Sequence, residues 1–134
     1  MVPEPKPDAI RARILIVEDE PMLRATIAES LRDAGFSVVE AANADEAFTY
    51  IEAGASVDLV FSDVRMPGSL DGLALARKLK TTNPSLSVIL TSANFRPGNI
   101  DDLGPFIRKP YRLAEVKAQV IQTLGLGPSD EYDE

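Results

Sequence analysis

Short apolar runs alternate along this chain with stretches whose apolar residues recur every three or four positions, and few folds accept that rhythm. Ile14-Leu15-Ile16-Val17 is the first run; 36–41, 59–62, 88–91 and 106–108 are the later ones. Each has the length and composition of a strand. In the intervals, Leu23, Ile27 and Leu31 share one helical face, and Gly35 follows as a stop signal. Asn43 with Glu46 three residues later resembles a capping box, opening a helix to about 53 that Gly54 ends. Leu73, Ala76 and Leu79 mark a third helix ahead of Pro84. Leu113, Val116, Val120 and Leu124 mark the last helix, with Leu113, Val116 and Val120 read as core. Strands alternating with helices predict an α/β fold with a parallel sheet covered on both faces.

One interval breaks the rhythm. Between Ser92 and Phe106 lie Pro97, Gly98, Gly104 and Pro105, which leaves 99–103 room for about one helical turn. The fourth helix is therefore expected to be shortened or absent.

A chain of 134 residues suits one domain that buries roughly two thirds of its unfolded surface. Residues 1–11, with Pro3, Pro5 and Pro7, read as a flexible arm, 12–125 as the domain and 126–134 as an acidic disordered tail. The net charge of −7 argues against nucleic-acid backbones and anionic membranes as partners. The absence of His excludes imidazole acid/base chemistry, His-based metal sites and a phosphohistidine on this chain. The absence of Cys excludes a disulfide framework. No run approaches the roughly 20 apolar residues of a membrane span, and no apolar signal stretch opens the chain. A cytoplasmic location is the expectation.

The candidate chemistry lies at two strand ends. The run Leu59-Val60-Phe61-Ser62 closes on Asp63 and breaks into a Pro67-Gly68 turn. Glu18 and Asp19 follow the first run directly. In open α/β sheets ligands bind just beyond the carboxyl ends of the strands. Three carboxylates there suit a hard divalent cation, and an Asp carboxylate can also accept a phosphoryl group as a nucleophile.

Four segments in this order resemble the receiver domains of CheY-like response regulators, the phosphoacceptor half of two-component signalling. They are Val17-Glu18-Asp19-Glu20; Ser62-Asp63-Val64-Arg65-Met66-Pro67-Gly68 with Asp71-Gly72; Leu90-Thr91-Ser92-Ala93; and Arg108-Lys109-Pro110-Tyr111. The resemblance spans about 12 to 124. It implies a flavodoxin-like, doubly wound, five-stranded (β/α)5 fold. It implies Asp63 as phosphoacceptor, and Mg²⁺ held by Asp19, Glu18, Asp63 and the backbone carbonyl of Arg65. Ser92 would contact the phosphoryl group, Lys109 that group or the Asp63 carboxylate, and Phe106 occupies the place of the aromatic switch. Arg65 and Asn94 would flank the path of attacking water and tune dephosphorylation. A cis Lys109–Pro110 bond fits the same pattern. The implied donor is a histidine kinase or a histidine phosphotransfer protein, the implied output contact with a downstream protein. The chain would catalyse only its own phosphorylation and dephosphorylation.

The pattern has departures. Phe106 supplies no phenol, the interval before it is short, and the Pro67 loop carries an extra residue. These features resemble receivers at the C-termini of hybrid histidine kinases and some free-standing receivers; the initial Met leans towards the latter. Two other readings compete. A haloacid-dehalogenase-like phosphohydrolase would need an acid where Arg65 stands, which Arg cannot replace in proton transfer. A degenerate receiver would bind proteins without phosphorylation, against the intact Glu18, Asp19, Asp63, Ser92 and Lys109 set.

Overall fold

The computed structural model describes residues 12–66, 68, 70–93, 98 and 100–126. The chain runs β1 (Arg13–Val17), α1 (Pro21–Asp33), β2 (Ser37–Ala41), α2 (Ala44–Glu52), β3 (Leu59–Asp63) and α3 (Gly72–Thr82). It ends with β4 (Ser87–Ser92), β5 (Phe106–Arg108) and α4 (Leu113–Thr123). The strands form one parallel sheet in the order β2-β1-β3-β4-β5. This is the parallel sheet that the alternation predicts, in the flavodoxin-like, doubly wound order that the resemblance implies.

Strand alternation feeds two cores. Ile14, Ile16, Leu59, Phe61, Ile89 and Ile107 pack towards Ile27 and Leu31 of α1 and Val116 and Val120 of α4. Leu15, Val17, Val60, Val88 and Leu90 pack towards Ala47 and Ile51 of α2 and Leu75 and Leu79 of α3. A parallel sheet buried on both faces needs apolar residues at nearly every position, so its strands read as continuous apolar runs. Each large aliphatic side chain hidden in this way contributes about 1.5–3 kcal/mol.

The helix starts follow local chemistry. Asn43 accepts the Glu46 N–H at 2.7 Å, while the Glu46 carboxylate accepts the Ala42 N–H at 2.6 Å. The reciprocal bond thus lands one residue earlier than a standard capping box would place it. Asp71 caps α3 by accepting the Ala74 N–H at 2.8 Å.

One core expectation needs correction. Leu113 is 37% exposed, because it is the first residue of α4 and no preceding turn shields it. Leu73 is only partly buried; the buried stripe of α3 runs through Gly72, Leu75, Ala76 and Leu79, as the 3.6-residue period dictates from that start.

Among the described residues no helix separates β4 from β5. A turn stands at 100–103, closed by the Leu103 N–H on the Ile100 carbonyl at 2.9 Å. Ile100 and Leu103 plug into the core beside α3, so two side chains fill space that a helix would otherwise cover. Gly104 then passes hard against β4: a Cβ there would stand 1.9 Å from the Val88 carbonyl oxygen.

The strand order reverses between β1 and β3, so the connections leaving their carboxyl ends diverge and open a crevice. Glu18, Asp19 and Asp63 stand at that crevice.

Candidate functional site

Glu18 prolongs the ladder of β1, donating its N–H to the Ala41 carbonyl at 3.1 Å, and is buried. Its Oε2 accepts the Glu20 N–H at 3.0 Å. Asp19, next in the chain, is exposed. Asp63 is the last residue of β3 and only 9% exposed. Its Oδ1 accepts the Arg65 N–H at 3.2 Å. Lys109 prolongs β5, donating its N–H to the Ser92 carbonyl at 2.9 Å. Its Nζ reaches Asp63 Oδ2 at 2.8 Å and Glu18 Oε1 at 3.3 Å. The Lys109–Pro110 bond is cis.

Carboxylate oxygens of Glu18, Asp19 and Asp63 lie within 4.8 Å of one another. All three are hard donors, and their separation lets one small cation be shared. Mg²⁺ retains several waters, so three carboxylates with a carbonyl form an adequate protein share of its octahedron. The donor set therefore fits Mg²⁺.

Burial raises the pKa of Glu18, against the opposing pull of the Glu20 amide and the Lys109 charge. Burial works to lower that of Lys109, but the hydrogen bond and charge of Asp63, joined by Glu18, prevail and raise it. Lys109 is therefore an ammonium at neutral pH. Burial pushes the Tyr111 phenol up to about 12.

The remaining expected residues divide by strand parity. Asp63 follows Phe61, and Lys109 follows Ile107, on the α1–α4 side of the sheet. Ser92, buried at the end of β4, follows Leu90 on the α2–α3 side, where Phe106 pairs with Leu90 and packs half-buried against the core. Arg65 is exposed beside Asp63. Asn94 and Pro67 lie outside the described residues.

Three further residues support the site. A Cβ on Gly72 would stand 1.7 Å from the Asp63 carbonyl oxygen, so only glycine lets α3 start so near β3. The ring of Tyr111 meets Phe61 edge-on at 6.1 Å, and with Leu23, Ala93, Lys109 and Pro110 it lines a shallow cavity of about 500 Å³. Arg24 donates to the Glu18 carbonyl at 2.8 Å. The Asp71-Gly72 step signalled Gly72 as a motif residue but not the contact it makes. Tyr111 closes the Arg108-Lys109-Pro110-Tyr111 segment, but its contact with Phe61 has no local signal, and neither has the contact of Arg24 with Glu40 on β2.

A doubly wound sheet with three carboxylates and a lysine at its switch point is the architecture of CheY-like signalling receivers. Residues 14–120 match the response regulator receiver domain, and the chain belongs to that family. Among relatives, the sensor kinase CckA of Brucella abortus (strain 2308) is 36% identical over 119 residues, covering 84% of this chain and 12% of that protein. A gliding motility regulatory protein of Myxococcus xanthus is 43% identical over 76 residues, covering 57% of this chain and 10% of that protein. The chain spans between 10% and 36% of the length of the curated relatives it matches. Among solved structures, the response regulator TrrA of Thermotoga maritima, in complex with Mg(2+)-BeF, superposes with a TM-score of 0.76 at 30% identity. That match covers 84% of this chain and 98% of the other. The receiver domain of the hybrid histidine kinase CckA gives 0.71 at 34% identity, covering 84% and 99%. No helix of the described residues is long and apolar enough to cross a membrane.

Proposed function

We propose that Asp63 accepts a phosphoryl group in a Mg²⁺-dependent transfer that switches the protein contacts of this receiver. The observation that carries the reading is one ammonium, Lys109 Nζ, held 2.8 Å from Asp63 Oδ2 beside an acidic triad within 4.8 Å. The Mg²⁺-BeF complex of a receiver 30% identical to this chain supports the choice of metal.

The donor in this reading is a phosphohistidine on a histidine kinase or a phosphotransfer protein. Its N–P bond breaks as an Asp63 Oδ–P bond forms, and the leaving imidazole takes up a proton. Asp63 needs no general base, being already a carboxylate. Glu18, Asp19, Asp63 and the Arg65 carbonyl hold the Mg²⁺, which supplies positive charge to the transferring group. Lys109 supplies a second charge from β5, as a point charge on a long stem. The Ser92 hydroxyl then donates to a phosphoryl oxygen. Its movement opens room that Phe106 fills by packing alone, biasing two arrangements of the β4–β5 surface. Arg65 and Asn94 set the lifetime: Arg65→Ala or Asn94→Ala is expected to change the dephosphorylation rate several-fold. Catalysis is confined to the chain's own phosphorylation and dephosphorylation. The output is contact with another protein in the cytoplasm, not with nucleic acid or membrane.

Intact mass after incubation with acetyl phosphate, with and without Mg²⁺, tests the reading. One added phosphoryl group that requires Mg²⁺ and vanishes in Asp63→Asn is expected. Phosphorylation persisting in Asp63→Asn would sink it.

A further inference from the structure

Arg24, one turn into α1, folds its guanidinium back over the end of β1. Its Nη1 donates to the Glu18 carbonyl at 2.8 Å, and its Nε lies 3.4 Å from Glu40 Oε1. Glu40 stands on the edge strand β2 and is itself held by Arg32 Nη1 at 3.3 Å. Arg32 is anchored in turn by donating from Nη2 to the Val38 carbonyl at 2.9 Å. The side chains of Arg24 and Glu40 are 20% and 29% exposed, so the pair is partly shielded from water.

The Glu18 carbonyl belongs to the peptide plane that joins Glu18 to Asp19. The preceding plane is already tied, through the Glu18 N–H on Ala41. Both peptide planes around Glu18 are therefore held, the first by β2 and the second by Arg24. Rotation of the second plane would swing the Asp19 carboxylate relative to Glu18 and Asp63. A planar guanidinium can grip a carbonyl with one edge and a carboxylate with another, which a lysine ammonium cannot match.

We propose that Arg24 is a positioning residue that fixes the Glu18–Asp19 peptide plane and so sets the acidic triad for a divalent cation. The inference rests on the Mg²⁺ reading above. It concerns neither contact with the metal nor the phosphoryl group.

Charge and geometry predict opposite outcomes. As a mere cation near the triad, Arg24 repels Mg²⁺, and Arg24→Ala would tighten binding. As a mere staple of α1 on β2, its loss would lower Tm and leave Mg²⁺ affinity alone. As a positioning residue, its loss weakens Mg²⁺ binding in a folded protein.

The test is calorimetric titration of the full chain with Mg²⁺, beside the Tm of each protein without metal. Arg24→Ala is expected to weaken Mg²⁺ binding about 10-fold, within the range seen when groups supporting a metal ligand are removed. Arg24→Lys keeps the charge but loses the fork, and is expected to weaken it about 3-fold. A folded Arg24→Ala with unchanged or tighter affinity overturns the proposal. Should Arg24→Ala not fold, Arg24→Lys decides by the same criterion. Wild-type protein that binds no Mg²⁺ overturns the metal reading itself, before any variant is compared.

Discussion

Lys109 Nζ stands 2.8 Å from Asp63 Oδ2 and 3.3 Å from Glu18 Oε1, though 46 and 91 residues separate them along the chain. One ammonium therefore serves two carboxylates that would otherwise face each other at close range. β5 delivers it, and its backbone is locked by the Lys109 N–H on Ser92. The three side chains are 19%, 12% and 4% exposed, so water screens the cluster only in part.

Removing that charge exposes the two acids to one another. Lys109→Met is expected to slow phosphorylation by acetyl phosphate about 100-fold, the usual effect of losing one preorganised electrostatic partner. Without metal the variant should also unfold at lower denaturant concentration, and Mg²⁺ should restore more stability to it than to wild type. Equal Mg²⁺ stabilisation of the two proteins would contradict this account.

Divalent cation binding to the folded state alone must raise its stability. At Mg²⁺ a hundredfold above Kd the gain is about 2.7 kcal/mol, readable as a rise in Tm. Asp19→Asn removes one of three carboxylates and should abolish most of that rise at the same concentration. A full rise in the variant would show that Asp19 is not a ligand.

The Tyr111 phenol makes a pH signature. Its pKa is about 12 in the folded protein against 10.0 ordinarily, chiefly through burial, with the Glu18 and Asp63 charges adding to the rise and Lys109 opposing it. Above pH 10 the unfolded chain releases a proton that the folded chain retains. The stabilisation is whole below pH 10 and is lost as pH rises through about 12; the shift sets a ceiling of about 2.7 kcal/mol, lowered by the water that reaches the half-buried ring. Tyr111→Phe should flatten that part of the profile. At neutral pH it should cost under about 1 kcal/mol, because the buried hydroxyl has no partner among the described residues. Denaturant titrations at pH 8, 10 and 11.5 would decide.

Gly72→Ala should be costly well beyond a helix-propensity change, which by itself favours alanine. The added Cβ meets the Asp63 carbonyl at 1.7 Å, and backbone cannot rotate away as a side chain can. A loss of about 1–3 kcal/mol is expected, with slower phosphorylation of the folded fraction because the strain falls on Asp63 itself. Wild-type stability and rate together would refute the contact.

Much of this molecule can be read along the chain because its signals are local. The strand runs are continuous since both sheet faces are covered, and Asn43 announces its helix within three residues. Asp63, Glu18 and Lys109 are legible as motif residues at strand ends. Contacts that depend on the third dimension are not. Nothing near Leu113 shows that its turn lacks cover, and nothing near Arg24 points to Glu40, which lies on β2. Ile100 and Leu103 sit in a segment whose Pro and Gly residues spoke only against a helix. That the two would fill the core instead depended on the space beside α3.

Strand parity has one more consequence. Asp63 and Lys109 belong to the α1–α4 side of the sheet, Ser92 and Phe106 to the α2–α3 side. Methyl signals of Ile100 and Leu103 should therefore move more on phosphorylation than those of Val116 and Val120. The sheet divides the apolar interior into two compartments that meet at its rim, and under the proposed function a phosphoryl group gained at the edge of one is registered in the other.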